Sequence, residues 1–275
     1  MSRKNWTDDK IISRLINNKS VKSRWENISA LRKRPSLDLF AKCIELTKSD
    51  KPKERRIGID ILAQLGLPPR PFLHETLKIY FDLLKTENDP EVLMSLLYSI
   101  GHNNENIDNE QIKQICSFEN SEDSRVKDGV VAALLGIDNP AAIEMLIKLS
   151  SDKLSHIRNW ATFGLGTQIE RNNEAIREAL WKRVNDKHQE TKLEAIVGLA
   201  KRNDKRILDI IKREIIGGEY GKLLLEAVIY TKNKEFLSLL KQNLRIIKND
   251  KTIHLEWKKD LKKCIDELTQ LTNKA

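Results

Sequence analysis

The amino-acid sequence repeats itself at an interval of about thirty residues. Its most regular copy is SHIRNWATFGLGT, residues 155–167. Four further segments align with it: EVLMSLLYSIGH from Glu91, RVKDGVVAALLG from Arg125, TKLEAIVGLAK from Thr191 and, more loosely, RRIGIDILAQLG from Arg55. The equivalent residues Val92, Val126, Ile157 and Thr191 lie 34, 31 and 34 positions apart. A period in this range indicates stacked helical repeats, because one repeat cannot bury its apolar face alone.

Each aligned segment has the apolar spacing of a helix, and another helical segment precedes it. Turn residues recur between the helices, as at Asp89-Pro90, Asn139-Pro140 and Asn203-Asp204. We therefore predict an all-α fold, an α-solenoid of about eight antiparallel helix pairs. We predict a single domain over residues 1–275, with N-terminal repeats in 1–50, regular repeats in 51–216 and capping repeats in 217–275.

The charge distribution limits the classes of partner. The chain has a net charge of +9, but residues 57–140 hold 6 basic and 14 acidic side chains. A duplex-binding protein would be expected to carry a continuous basic stripe, so this acidic block disfavours a long nucleic-acid track.

The cysteines and the apolar segments indicate a cytoplasmic protein. Cys43, Cys116 and Cys264 are odd in number and lie in helical apolar patterns, so we expect reduced thiols rather than a disulfide framework. The start MSRKNWTDDK lacks the apolar region of a signal peptide, and no apolar run approaches the ~20 residues of a membrane span.

Several of these segments resemble a known repeat. VKDGVVAALLG, IRNWATFGLGT and TKLEAIVGLAK look like the second helices of HEAT repeats, of the short type also found in phycobilin lyases. NWATFGLGTQIERNNEAIREAL followed by EAIVGLAKRND resembles a group of bacterial HEAT-repeat proteins without an established activity. The resemblance implies the solenoid fold, and nothing in the chain carries lyase chemistry.

One repeat position carries a basic residue in several copies. Lys127, Arg158 and Lys192 share it, and Lys222 joins them when the last copy is aligned thirty residues on. Stacking would place these cations in a row on or near the concave face, where they would hold an acidic partner. The structural alternative is that each cation pairs with polar groups of a neighbouring repeat.

Asn159 and Trp160 adjoin that row, and Phe163 and Tyr98 lie near it. These aromatic residues would either stack on a base or hold a peptide side chain, or they would pack in the core. Gly164 and Gly166 favour a close approach of helices, since GLG lacks the strand and acidic partner of a dinucleotide-binding motif.

No catalytic or metal-binding pattern is present. No two of the five histidines share a helical turn with a carboxylate or cysteine, so we predict no metal site and no cofactor.

Two functional hypotheses follow from the sequence. Our first hypothesis is a non-enzymatic scaffold that binds a protein on its concave face, with the row of cations favouring an acidic partner. The alternative is a nucleic-acid-binding HEAT-like protein related to DNA repair, by analogy with HEAT-like alkylpurine DNA glycosylases. The oligomeric state stays open.

Overall fold

The computed structural model describes residues 3–18, 20–218 and 220–273. These residues form sixteen α-helices and no β-strand. The helices are α1 (Asp8–Asn17), α2 (Val21–Arg32), α3 (Leu37–Thr47), α4 (Pro52–Gln64), α5 (Leu73–Leu83), α6 (Pro90–Gly101), α7 (Asn109–Cys116), α8 (Ser124–Leu134), α9 (Pro140–Leu149), α10 (Ser155–Phe163), α11 (Glu174–Trp181), α12 (Gln189–Lys201), α13 (Ile207–Gly217), α14 (Lys222–Thr231), α15 (Phe236–Ile247) and α16 (Leu255–Asn273). The prediction of an all-α solenoid is confirmed.

The chain divides into two compact units, Met1–Ala142 and Ile143–Ala275. In the first unit the even-numbered helices, which we call the second helices, pack side by side from α2 to α8. In the second unit α10, α12, α14 and α16 pack in the same manner. The odd-numbered helices, which we call the first helices, include α1, α3, α11 and α15, and these four pack mainly on second helices. The prediction of one continuous domain over residues 1–275 stays a prediction.

Several helices begin where the sequence supplies a capping side chain or a proline. The side chains of Thr7, Ser36 and Asp89 each accept a hydrogen bond from a backbone N–H in the first turn that follows. Pro52 and Pro90 occupy first helical positions, where the missing N–H costs nothing. Local signals therefore mark the start of these helices, and burial of the apolar stripes holds the pairs together.

The regular copy at residues 155–167 does not remain α-helical throughout. α10 ends at Phe163, and Gly164–Gln168 form one turn of π-helix. The buried guanidinium of Arg202 donates hydrogen bonds to the carbonyl oxygens of this region. They run to Leu165 (2.7 Å), Gly166 (2.9 Å), Ile169 (2.6 Å), Arg171 (3.1 Å) and Gly198 (2.9 Å). Arg202 thus satisfies acceptors that the π turn leaves open.

Glycine lets α12 approach that turn closely. A Cβ atom at Gly198 would lie 2.6 Å from the Cα of Gly166, and a Cβ at Gly166 would lie 2.9 Å from the carbonyl oxygen of Glu194. The predicted close approach of helices at Gly166 is confirmed.

Candidate binding face of the second helices

The predicted row of cations occupies one defined helical position. Lys127, Arg158 and Lys192 are the fourth residues of α8, α10 and α12. Arg24 and Arg55 hold the same position in α2 and α4, and the sequence analysis missed both. Leu93 takes it in α6, as the alignment predicted.

Lys222 does not belong to the row. It is the first residue of α14, because that helix begins only after Gly221, so it cannot share the fourth position with the others. Its Nζ lies 2.9 Å from a carboxylate oxygen of Asp260, and the lysine side chain is exposed.

Arg158 is used inside the fold. Its Nε and Nη2 donate to the two carboxylate oxygens of Asp186 at 3.0 and 2.9 Å. Its Nη1 donates to the carbonyl oxygens of Asp152 and Lys153 at 2.9 and 3.1 Å. The side chains of Arg158 and Asp186 are 15% and 4% exposed. The hydrogen bonds to Asp186 raise the pKa of Arg158, and those from Arg158 lower the pKa of Asp186.

The first unit contains the same arrangement. Arg55 donates from Nε and Nη2 to Glu87 at 2.7 and 2.9 Å, and from Nη1 to the carbonyl oxygens of Ser49 and Asp50. The fourth-position arginine therefore ties its helix to the loop before the helix and to a carboxylate in the loop before the next second helix.

The remaining members of the row are also engaged. Lys192 forms an ion pair with Glu214 at 2.6 Å, and both side chains are mostly buried. Arg24 pairs with Asp60, and Lys127 is half-buried and has an interaction partner of its own. Pairing with neighbouring repeats, which was the structural alternative, therefore occurs for Arg158 and Lys192, and their role in binding a partner stays a prediction.

A groove with exposed aromatic side chains crosses the second helices of the first unit. It encloses about 380 Å³, and Trp25, Met94 and Tyr98 supply its large side chains. Trp25 is 50% exposed and Tyr98 is 40% exposed. Asp60, at the groove, accepts hydrogen bonds from Arg24 Nε at 3.0 Å and from Ser95. With its carboxylate satisfied within the fold, the groove offers mainly apolar and aromatic surface.

The second unit presents a different surface around Trp160. The indole is 49% exposed and meets Phe163 edge to face, with ring centroids 5.6 Å apart. Asn159, beside it, donates from Nδ2 to the Glu190 carboxylate at 3.4 Å. Half of Trp160 is thus open, although core packing was one of its two expected roles.

Carboxylates of α12, the next second helix, hydrogen-bond to side chains of α10 and of the π turn that follows it. Glu194 accepts a hydrogen bond from Thr167 Oγ1 at 3.1 Å. Burial raises the pKa of Glu194, and the negative charges of Glu226 and Glu190 raise it further. Glu190 and Glu194 therefore give this part of the face negative charge. A surface that binds an acidic partner would be expected to be positive instead.

The described residues contain no group of three histidine, cysteine or acidic side chains placed to hold a metal ion. Cys43, Cys116 and Cys264 are free thiols, and burial raises the pKa of Cys43 to about 12. Among the helices in those same residues, none has the length and apolar character needed to span a membrane.

Comparison with known proteins supports the fold and leaves the function open. No family model matches the chain. Protein YibA of Escherichia coli strains K12 and O157:H7 is 32% identical over 127 residues, which are 46% of this chain and 44% of YibA. The chain thus matches less than half the length of these curated relatives.

Two solved structures resemble the whole chain in fold. The X-ray structure of E. coli YibA has a TM-score of 0.76 at 23% identity, covering 97% of this chain and 94% of YibA. A chain in the complex of Kap95p with RanGDP has a TM-score of 0.56 at 13% identity, covering 95% of this chain and 41% of the other. The fold is that of HEAT-like helical repeats, whereas the resemblance to the phycobilin-lyase type is not confirmed.

Proposed function

We propose that this chain is a non-enzymatic scaffold that binds a segment of another protein on the exposed face of its second helices. The groove that holds Trp25, Met94 and Tyr98 carries this proposal. Half-exposed aromatic side chains around a pocket are typical of positions that dominate protein–protein affinity. The cytoplasmic location stays a prediction.

The fold supports the same proposal by analogy. A chain of similar fold belongs to a complex in which binding of Kap95p induces the switch loops of RanGDP to adopt the GTP-bound conformation. Of the predicted contact residues, Asn159 and Trp160 remain candidates because they lie on the second-helix face. Lys127, Arg158, Lys192 and Lys222 have partners inside the chain, so we assign them a structural role first.

The nucleic-acid alternative gains no support. Carboxylates of Glu190, Glu194 and Glu226 lie on the face that would have to meet phosphates, and like charges repel.

A photo-crosslinking phenylalanine analogue in place of Tyr98 tests the proposal. It should form a discrete adduct in cells with one protein identifiable by mass spectrometry. The same analogue in place of Leu37, which is 75% exposed on α3, is the matched control and should not form that adduct.

Trp25→Ala should then weaken binding of the identified protein by roughly tenfold or more, because truncation of an aromatic anchor costs about 2 kcal/mol. Identical adducts from both positions, or none from Tyr98, would refute the groove as the binding surface.

A further inference from the structure

The second helices of the second unit share an unpartnered face that combines aromatic rings with carboxylates. Trp160, Phe163 and Thr167 follow one another at helical spacing along α10 and its π turn. On the next second helix Glu190 and Glu194 are one turn apart, and on α14 Glu226 and Tyr230 have the same spacing.

Contacts between the helices show that these side chains are neighbours. Asn159 donates to Glu190, and Thr167 donates to Glu194. Glu194 also experiences the charges of Glu190 and Glu226. The aromatic side of α10 and the carboxylates of α12 and α14 therefore belong to one surface.

The carboxylates of this surface hydrogen-bond to the neutral side chains of Asn159, Thr167 and Tyr230. In the described residues, none of the Glu190, Glu194 and Glu226 carboxylates forms an ion pair with a lysine or arginine. Lys201, near the end of α12, pairs with Glu170 at 2.6 Å. The fourth-position cations Arg158 and Lys192 are likewise committed to Asp186 and Glu214.

We propose that this face binds an arginine-rich segment of a partner protein, whose guanidinium groups stack on Trp160 and pair with the carboxylates of Glu190, Glu194 and Glu226. The inference rests on the proposed scaffold function and names the chemistry of one partner. Arginine fits better than lysine, because its planar group stacks on an indole while donating hydrogen bonds to carboxylates.

Charge complementarity also selects the occupant. The whole chain carries a net charge of +9, but the charges that a bound segment would meet at this face are the carboxylates of Glu190, Glu194 and Glu226. An acidic segment would meet three carboxylates at this face, which argues against the acidic partner expected from the sequence.

The experiment uses the full chain and a fluorescein-labelled peptide in which arginine alternates with serine. Fluorescence anisotropy at low salt should show binding of this peptide and none of its glutamate counterpart. The double variant Glu194→Gln/Glu226→Gln should bind the arginine peptide at least tenfold more weakly, and Trp160→Ala several-fold more weakly.

Glu144→Gln is the matched control, because Glu144 is an exposed glutamate of α9 in the same unit and its loss removes the same charge. It should bind as the unmodified chain does. Thermal melting of each variant shows whether the fold is retained.

Equal binding by the double variant and the unmodified chain would overturn the inference, as would no binding of the arginine peptide at low salt. The inference would also be overturned if the glutamate peptide or duplex DNA bound to the chain and Trp160→Ala weakened that binding. Because the crosslink from Tyr98 reports on the other unit, its persistence in these cases would show that only the arginine site is wrong.

Discussion

Arg158 and Asp186 join α10 to the loop before α12 through two parallel hydrogen bonds of 3.0 and 2.9 Å. The equivalent contact of Arg55 with Glu87 shows that this is a repeated joint of the solenoid. At Arg55 and Arg158 the fourth helical position therefore links successive repeats, because a carboxylate in the loop before the next second helix holds each guanidinium.

Arg158→Gln should lower the free energy of unfolding by about 2 kcal/mol, because it leaves a mostly buried carboxylate without its main partner. Urea unfolding measures the change. Lys259→Gln removes an exposed ion pair with Glu256 and serves as the control, with no change expected. A loss no larger for Arg158→Gln than for the control would contradict the structural role.

Arg202 supports the π turn by donating to five carbonyl groups. Arg202→Ala should therefore lower the free energy of unfolding by about 3 kcal/mol or more, since buried carbonyl oxygens lose their hydrogen-bond donors. Arg202→Lys should recover little of this, because one ammonium group cannot reach so many acceptors. Lys205→Ala, at an exposed neighbouring position, should leave the urea midpoint unchanged.

Two helical glycines should respond to alanine in opposite ways. Gly198→Ala places a methyl group against the backbone of Gly166 and should destabilise the chain by about 2 kcal/mol, despite a gain in helix propensity of about 1 kcal/mol. Gly217→Ala meets nothing within 4 Å and should stabilise slightly. Differential scanning calorimetry of both variants checks the signs, and a stabilised Gly198→Ala would show that the helices can separate at no cost.

Much of the fold was predictable from local chemistry. Thr7 caps the start of α1, Pro90 is the first residue of α6, and Gly218 caps the end of α13, and each of these residue types is typical of its place in a helix. The π turn was not predictable, because the apolar spacing of IRNWATFGLGT fits an α-helix. Its departure depends on donors from Arg202, more than thirty residues away in sequence.

The site was predicted only in part. Aligning RRIGIDILAQLG from Arg55 placed Ile57 in the row, whereas α4 begins at Pro52 and puts Arg55 there. Repeat spacing identified Arg158 and Lys192, but the partners Asp186 and Glu214 lie in segments that the alignment did not compare. The charge exposed on the face of the second helices depends on those ion pairs. It could therefore not be predicted from the aligned row of cations alone.

The exposure of Trp25 was missed for a related reason. Val21, Trp25, Ile28 and Leu31 form one apolar stripe in the sequence. In the structure Ile28 and Leu31 are buried, whereas Val21 and Trp25 are exposed. The apolar stripe of one helix carries no information on how far the neighbouring helix extends along it. Apolar periodicity therefore cannot distinguish the buried residues of the stripe from the exposed ones.

Glu194 offers a test of whether the negative face costs stability. Burial raises its pKa above the ordinary value of about 4.3. The folded state therefore binds the carboxyl proton of Glu194 more tightly than the unfolded state does. The contribution of Glu194 to the free energy of unfolding is present at low pH and is lost as the pH rises through its unfolded-state and then its folded-state pKa. Glu194→Gln removes the ionisable group, while its amide oxygen can still accept from Thr167.

Glu194→Gln should therefore be more stable than the unmodified chain at neutral pH, and the difference should shrink as the pH falls through the pKa values of Glu194 in the folded and unfolded states. Urea midpoints measured between pH 4 and pH 8 check this, with Glu144→Gln as the control that shows no such trend. A difference in stability between the two chains that did not change with pH would show that folding does not raise the pKa of Glu194. A gain in stability together with loss of the arginine peptide would show that the carboxylate is kept for binding at a cost to the fold.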